Sequence, residues 1–140
     1  MDQAFWNRIH GGSTHFPIAL LFVAFFFDVL GCVWPGDGRR GEFRAAGFYL
    51  LLLAALSSFG AVLSGLVISK WKIAGAGLMA KHHLFVWPAF ALMIALALWR
   101  VMVGNEMSRR GFAIYLSTMG VAVALIAIAG YWGGEMLIGG

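Results

Sequence analysis

Charged residues and cysteines are both scarce in this sequence. Only 11% of the 140 residues are charged, whereas a soluble domain carries about a quarter. The single cysteine excludes an internal disulfide, a cysteine-based zinc or iron–sulfur site within this chain, and covalent attachment of a c-type haem. No basic run with interleaved aromatic residues occurs, so we expect no nucleic-acid partner. Together these deficits exclude a soluble globular enzyme and a disordered chain.

Apolar residues are abundant instead. They make up 61% of the chain, and the mean hydropathy is +0.86. A bilayer core of about 30 Å needs about 20 apolar residues per helix, and four stretches meet this need: 16–34, 45–69, 83–103 and 112–132. Their connections are short, so neighbouring helices should pack antiparallel. We therefore predict an all-α polytopic membrane protein, with residues 1–140 forming one four-transmembrane-helix antiparallel bundle without an evident internal repeat.

The basic residues predict how the bundle lies in the membrane. We call the end of the bundle that carries the N-terminus side A and the opposite end side B. Side B carries Arg39, Arg40, Arg44, Arg100, Arg109 and Arg110, and side A carries Arg8, Lys70, Lys72 and Lys81. Because cytoplasmic loops are enriched in Lys and Arg, we expect side B in the cytoplasm. The protein is then a multi-pass membrane protein with both termini on the side opposite the cytoplasm.

All four histidines fall at side A. His10 and His15 precede the first span, and His82 and His83 open the third. The fourth span also ends at side A, close to Glu135. Imidazole is a good ligand for haem iron, copper or zinc, and ionisable groups at membrane depth are costly and usually functional. We predict that at least two of these histidines bind a cofactor or metal, against the simpler alternative that they sit in wet headgroups.

The residues around the histidines rank them as ligands. His10 and His15 lie about 140° apart on a helix, and Gly11–Thr14 between them favours an irregular segment with Ser13 or Thr14 as N-cap. His15 would then lie in the first helical turn and be the better inward ligand. His82 and His83 are adjacent, about 100° apart on a helix, so at most one points into the core. The sequence leaves that choice open.

Asp28 is the one acid well inside a predicted span. A charge at the centre of a membrane helix costs about 2.5–3.5 kcal/mol on insertion scales. Three interpretations are open: a neutral protonated acid, an ion pair with an arginine such as Arg44 or Arg100, and a residue on a proton path. We favour the ion pair near side B. We do not expect Asp28 to be a partner of the histidines, because they lie at the other end of the bundle.

Two motifs resemble those of a known family. Residues 10–20 read His-Gly-Gly-Ser-Thr-His-Phe-Pro-Ile-Ala-Leu, and residues 130–135 read Gly-Tyr-Trp-Gly-Gly-Glu. Both are similar to motifs of the DUF2231 family of small bacterial four-span membrane proteins. Asp28, Ser64-Gly65 and the His82/His83 pair also resemble features of that family, so the likeness covers nearly the whole chain. The resemblance implies a four-helix membrane fold and no established activity. Together with the Lys/Arg bias, it implies a multi-pass protein of a bacterial inner membrane with both termini in the periplasm.

The histidines suggest a b-type cytochrome as the leading hypothesis. His15 and one of His82 and His83 would ligate haem b near side A, and His10 and the remaining histidine would hold a second haem or tune the first. Such a non-catalytic subunit of a larger membrane redox complex would carry electrons between a periplasmic carrier and quinone or another subunit. The alternatives are a haem-free copper or other metal-binding protein, with Met79 and Met136 as extra ligands, and a purely structural subunit.

Overall fold

Four long helices make up the described part of the chain. The computed structural model describes residues 2–104 and 107–138, apart from the side chain of Leu137. Helix α1 spans Gln3–Val33, α2 spans Asp37–Ile68, α3 spans Leu78–Val103 and α4 spans Arg109–Ile138. Each contains an apolar segment long enough to cross a bilayer, and the described residues contain no strand. The predicted all-α, four-span membrane fold is confirmed.

The first helix begins well before the predicted span. Helix α1 begins at Gln3, and the Asp2 side chain caps it by accepting a hydrogen bond from the backbone N–H of Ala4. The prediction of an irregular segment with Ser13 or Thr14 as N-cap is therefore wrong. Both hydroxyls instead donate to carbonyls within α1. Where water is scarce, an unpaired backbone group costs more than the weak helix propensity of Gly, Ser and Thr.

The bundle consists of two helical hairpins. Helix α1 packs most extensively on α2, and α3 packs most extensively on α4. Smaller contacts of similar extent, between α2 and α3 and between α1 and α4, join the hairpins. Helices α1 and α3 are therefore diagonal to each other and run in the same direction. Any side chain on the inner face of α1 at side A faces the inner face of α3 across the bundle axis.

The two hairpins bury corresponding positions, which indicates an internal structural repeat. Buried residues of α1 recur in α3 at a constant offset of 72 positions: Pro17 and Ala89, Leu21 and Met93, Ala24 and Leu96, Asp28 and Arg100. Buried residues of α2 recur in α4 at an offset of 68 positions: Gly47 and Tyr115, Leu51 and Met119, Ala54 and Ala122, Ala61 and Ala129. The repeat was not evident in the sequence because most of the paired residues differ in type. A pseudo-twofold axis along the bundle accounts for the pattern.

The centre of the bundle is a packed apolar core. Leu21, Met93, Leu51 and Met119 are each no more than 3% exposed and belong to one hydrophobic cluster. Many large apolar side chains face outwards instead, among them Phe16, Leu56, Leu84 and Met102. An apolar exterior of this kind suits lipid contact. The polar side chains of interest lie above and below the core, at the two ends of the bundle.

Candidate cofactor site

His10 contacts the second helix of its own hairpin. Its Nδ1–H donates to the Ala61 carbonyl at 3.0 Å, and Nδ1 lies 3.0 Å from the Ser64 hydroxyl oxygen. Gly65 makes room for the ring, because a Cβ at this position would come within 3.0 Å of His10 Cε1. A carbonyl oxygen can only accept, so the ring proton is on Nδ1 and Nε2 keeps a lone pair.

His82 repeats this arrangement in the second hairpin. Its Nδ1–H donates to the Ala129 carbonyl at 2.8 Å. A Cβ at Gly133 would lie 3.4 Å from His82 Nδ1. Ala129 and Gly133 are the repeat equivalents of Ala61 and Gly65, and His82 is the equivalent of His10, 72 positions on.

The His10–His82 pair has the hydrogen bonding of a ligand pair. A metal-ligating histidine usually donates one ring N–H to a carbonyl or carboxylate, which fixes the tautomer and leaves the other nitrogen to the metal. Both imidazoles meet this condition through Nδ1. The helix positions that each ring packs against are small: Ala61, Ser64 and Gly65 beside His10, and Ala129 and Gly133 beside His82.

The other two histidines are placed differently. His15 is exposed, and its Nδ1–H donates to the Gly11 carbonyl of its own helix. His83 is half-buried beside the Trp87 ring, with centroids 6.1 Å apart. Its buried Nδ1 has no hydrogen-bond partner among the described residues. The continuous α1 helix removes the reason for ranking His15 above His10, while His83 stays a candidate through its unpaired nitrogen.

A conventional metal site is not evident at side A. Within residues 2–104 and 107–138, no group of three or more His, Cys, Asp or Glu side chains could hold a metal ion. Glu135 therefore does not complete such a group with the histidines. Two imidazoles without a third protein ligand suit a metal that brings its own equatorial ligands, as haem iron does.

The opposite end of the bundle contains a buried ion pair. Asp28 is fully buried, and Arg100 Nη1 donates to its two carboxylate oxygens at 3.2 and 3.3 Å. The Tyr115 hydroxyl donates to Asp28 Oδ2 at 2.7 Å. Arg100 Nη2 donates to the Arg44 carbonyl at 2.8 Å. The predicted pairing of Asp28 with an arginine near side B is confirmed, and Arg100 is the partner.

Sequence reasoning missed two residues of this cluster. Tyr115 completes the carboxylate hydrogen bonds, and its ring lies 4.9 Å from the Arg100 guanidinium carbon. Gly47 lets α2 approach the acid, since a Cβ there would lie 2.5 Å from Asp28 Oδ1. The available signal was spacing: Gly47 and Gly65 are 18 positions apart, as are Tyr115 and Gly133. Eighteen residues make five helical turns, so both members of each pair share a face.

The comparisons with known proteins identify a family and no activity. No curated protein matches this sequence, and no solved structure matches it. A family model described as "Predicted membrane protein (DUF2231)" matches residues 7–139. That range includes the motif at 10–20, whose His10 contacts α2, and the motif at 130–135, whose Gly133 lies against the His82 ring. The chain therefore belongs to the DUF2231 family of predicted membrane proteins.

Proposed function

We propose that this protein is a b-type cytochrome subunit of a membrane redox complex. It holds haem b near side A through His10 and His82 and carries electrons between a soluble redox partner and quinone or another membrane subunit. One observation carries the proposal: the two diagonal helices each present an imidazole at the same end of the bundle. Both rings have Nδ1 bonded to a carbonyl and Nε2 left for a metal.

The residues at side A fit a haem better than a bare metal ion. A bare ion needs three or four protein ligands, whereas haem iron needs only two axial ones. Bound haem would supply a one-electron redox centre. The chain's own contribution is to bind and orient: the Ala61 and Ala129 carbonyls fix each ring, and Gly65 and Gly133 allow each ring to lie against its neighbouring helix.

The positive charge at side A favours an electron-transfer partner whose surface is acidic. The exposed cations at this end are Arg8, Lys70, Lys72 and Lys81. Complementary charge raises the rate at which redox proteins meet and sets their orientation. By the Lys/Arg bias, side A faces the periplasm of a bacterial cell and both termini lie there. In this proposal the protein transfers electrons and makes or breaks no covalent bond of a substrate.

The test is a visible spectrum of the full chain, purified in detergent with the subunits that accompany it. We expect a dithionite-reduced minus oxidised spectrum with a b-type α-band. His10→Ala and His82→Ala should each abolish the band, because each removes an axial ligand. His15→Ala should preserve it, because this exposed ring bonds only within its own helix. The matched His15 variant also shows that losing one histidine does not by itself prevent folding.

Three results would contradict the proposal in different ways. Loss of the band in His15→Ala with retention in His10→Ala would restore the ligand pair favoured by the sequence. Bound copper in a haem-free sample, measured by mass spectrometry, would favour the metal-binding alternative. A correctly assembled protein with neither haem nor metal would favour the alternative of a purely structural subunit.

A further inference from the structure

We infer that this chain holds a single haem, at side A, and exchanges electrons at that face of the membrane rather than across it. The inference rests on the proposed function and deepens it by naming the number of cofactors and the side of the partner. The inference follows from the structural repeat. Each helix contributes one residue to a polar or glycine-containing level at side A and one residue to a corresponding level at side B.

The four helices divide these residues into two levels with the same spacing. In every helix the two residues are 18 positions apart: His10 and Asp28, Gly47 and Gly65, His82 and Arg100, Tyr115 and Gly133. Because 18 residues make five turns, the two residues of each helix lie on one face. The side A level consists of two histidines and two glycines. The side B level consists of an acid, an arginine, a tyrosine and a glycine.

The side B level leaves neither ligands nor space for a second cofactor. Asp28 and Arg100 take the positions equivalent to the two histidines, and they bond to each other. Tyr115 takes the position equivalent to Gly133 and bonds to the same carboxylate. The Asp28 carboxylate fills the space beside Gly47, because a Cβ at this position would lie 2.5 Å from Asp28 Oδ1. All four histidines of the chain lie at side A.

The distance between the levels separates the cofactor from side B. Eighteen residues of helix span about 27 Å, and the intervening centre is packed with Leu21, Met93, Leu51 and Met119. Electron tunnelling weakens exponentially with distance, and none of these core residues along the path is a histidine that could ligate a second haem. An electron that arrives at side A therefore leaves to an acceptor on the same side.

The first experiment counts haem on the full chain with its accompanying subunits. A pyridine haemochrome assay, with the chain quantified by amino-acid analysis, should give one haem per chain. His10→Ala and His82→Ala should each reduce the count for this chain from one to zero, because both residues ligate the same group. A count of two, or a variant that keeps half of the haem, overturns the inference. No haem in the unaltered protein instead overturns the proposed function.

The second experiment measures which face reaches the haem. The chain is reconstituted into sealed vesicles. The fraction with side A outward is measured by labelling a Lys72→Cys variant with an impermeant maleimide, in a Cys32→Ser background that removes the exposed native thiol. Dithionite added outside should rapidly reduce a fraction of the haem equal to that labelled fraction. The remaining haem should be reduced only after detergent opens the vesicles. A rapidly reduced fraction that instead matches the side B-outward population, or that includes all of the haem, overturns the inference.

Discussion

At the scale of single residues, Asp28 is the side chain with the largest energetic consequence. A buried charge costs several kcal/mol unless a partner and hydrogen bonds satisfy it. Arg100 and Tyr115 together donate to both oxygens of the carboxylate. The Arg100 guanidinium in turn lies near three aromatic rings, those of Phe48, Phe112 and Tyr115. Removal of either charge leaves the other buried without compensation.

Asp28→Asn should therefore destabilise the protein strongly. We expect a loss of about 3–5 kcal/mol, the usual consequence of removing one partner of a buried ion pair. Asp37→Asn is the matched control, because Asp37 is fully exposed and its contact with Arg40 spans 3.7 Å. Exposed pairs of this kind contribute little, so the control should unfold like the unaltered protein. The measurement is the denaturant midpoint in detergent micelles.

A double variant distinguishes loss of the pair from loss of a single contact. Asp28→Asn combined with Arg100→Gln should be more stable than the sum of the single losses predicts, because neither charge is then left unpaired. Simple additivity would mean that the two side chains act independently and that the ion pair is not the source of the effect.

At the scale of helices, close approach within each hairpin depends on small residues. In the α1–α2 hairpin, a Cβ at Gly31 would lie 2.7 Å from Arg44 Cγ, and a Cβ at Gly47 would meet Asp28. Small residues let membrane helices pack closely, which matters because lipid is as apolar as the helix surfaces. The sequence does not show which glycines serve this purpose, because the residues that face them come from another helix.

Gly47→Ala should destabilise the α1–α2 hairpin, since its new methyl group would overlap the Asp28 carboxylate. Overpacking of this kind costs about 1–3 kcal/mol. Gly60→Ala in the same helix is the control, because its Cβ would have no heavy atom within 4 Å. The control should be neutral or more stable by up to about 1 kcal/mol, as alanine is the better helix former. The measurement is the midpoint of a denaturant titration. If the midpoint of Gly47→Ala equalled that of the unaltered protein, α2 would have to shift to accept the methyl group.

At the scale of the whole molecule, four antiparallel helices assign each connection to one face of the membrane. The connection between α2 and α3 lies at side A with the N-terminus, and the α1–α2 connection lies at side B. Hydrogen bonds close both helix ends at these connections: Trp34 N–H donates to Leu30 O after α1, and Trp71 N–H donates to Leu66 O after α2.

Cysteine labelling in whole cells tests this topology. In a Cys32→Ser background, which removes the exposed native thiol, Lys72→Cys and Gly38→Cys should lie in opposite compartments. An impermeant maleimide should label Lys72→Cys in intact cells and Gly38→Cys only after permeabilisation, because the Lys/Arg bias favours side B inside. Labelling of both positions from one side would contradict four spans, and the reverse pattern would invert the proposed orientation.

Sequence alone determined the number of helices, the membrane environment and the gathering of histidines at one face. These follow from runs of apolar residues and from the alternation of span direction, which need no knowledge of neighbours. It also indicated an arginine partner for Asp28, because a buried acid needs a cation. It did not predict that α1 continues through residues 11–14, since the pressure to satisfy every backbone group inside a membrane outweighs local propensity there.

Only the tertiary structure decided which side chains meet. It paired Asp28 with Arg100 and Tyr115, and it paired His10 and His82 with backbone carbonyls of their neighbouring helices. Contacts of this kind depend on how each helix is rotated about its axis, and packing between helices sets that rotation. The repeat of the two hairpins is conserved in buried positions and spacing rather than in residue type, so it became visible only when burial along all four helices was known.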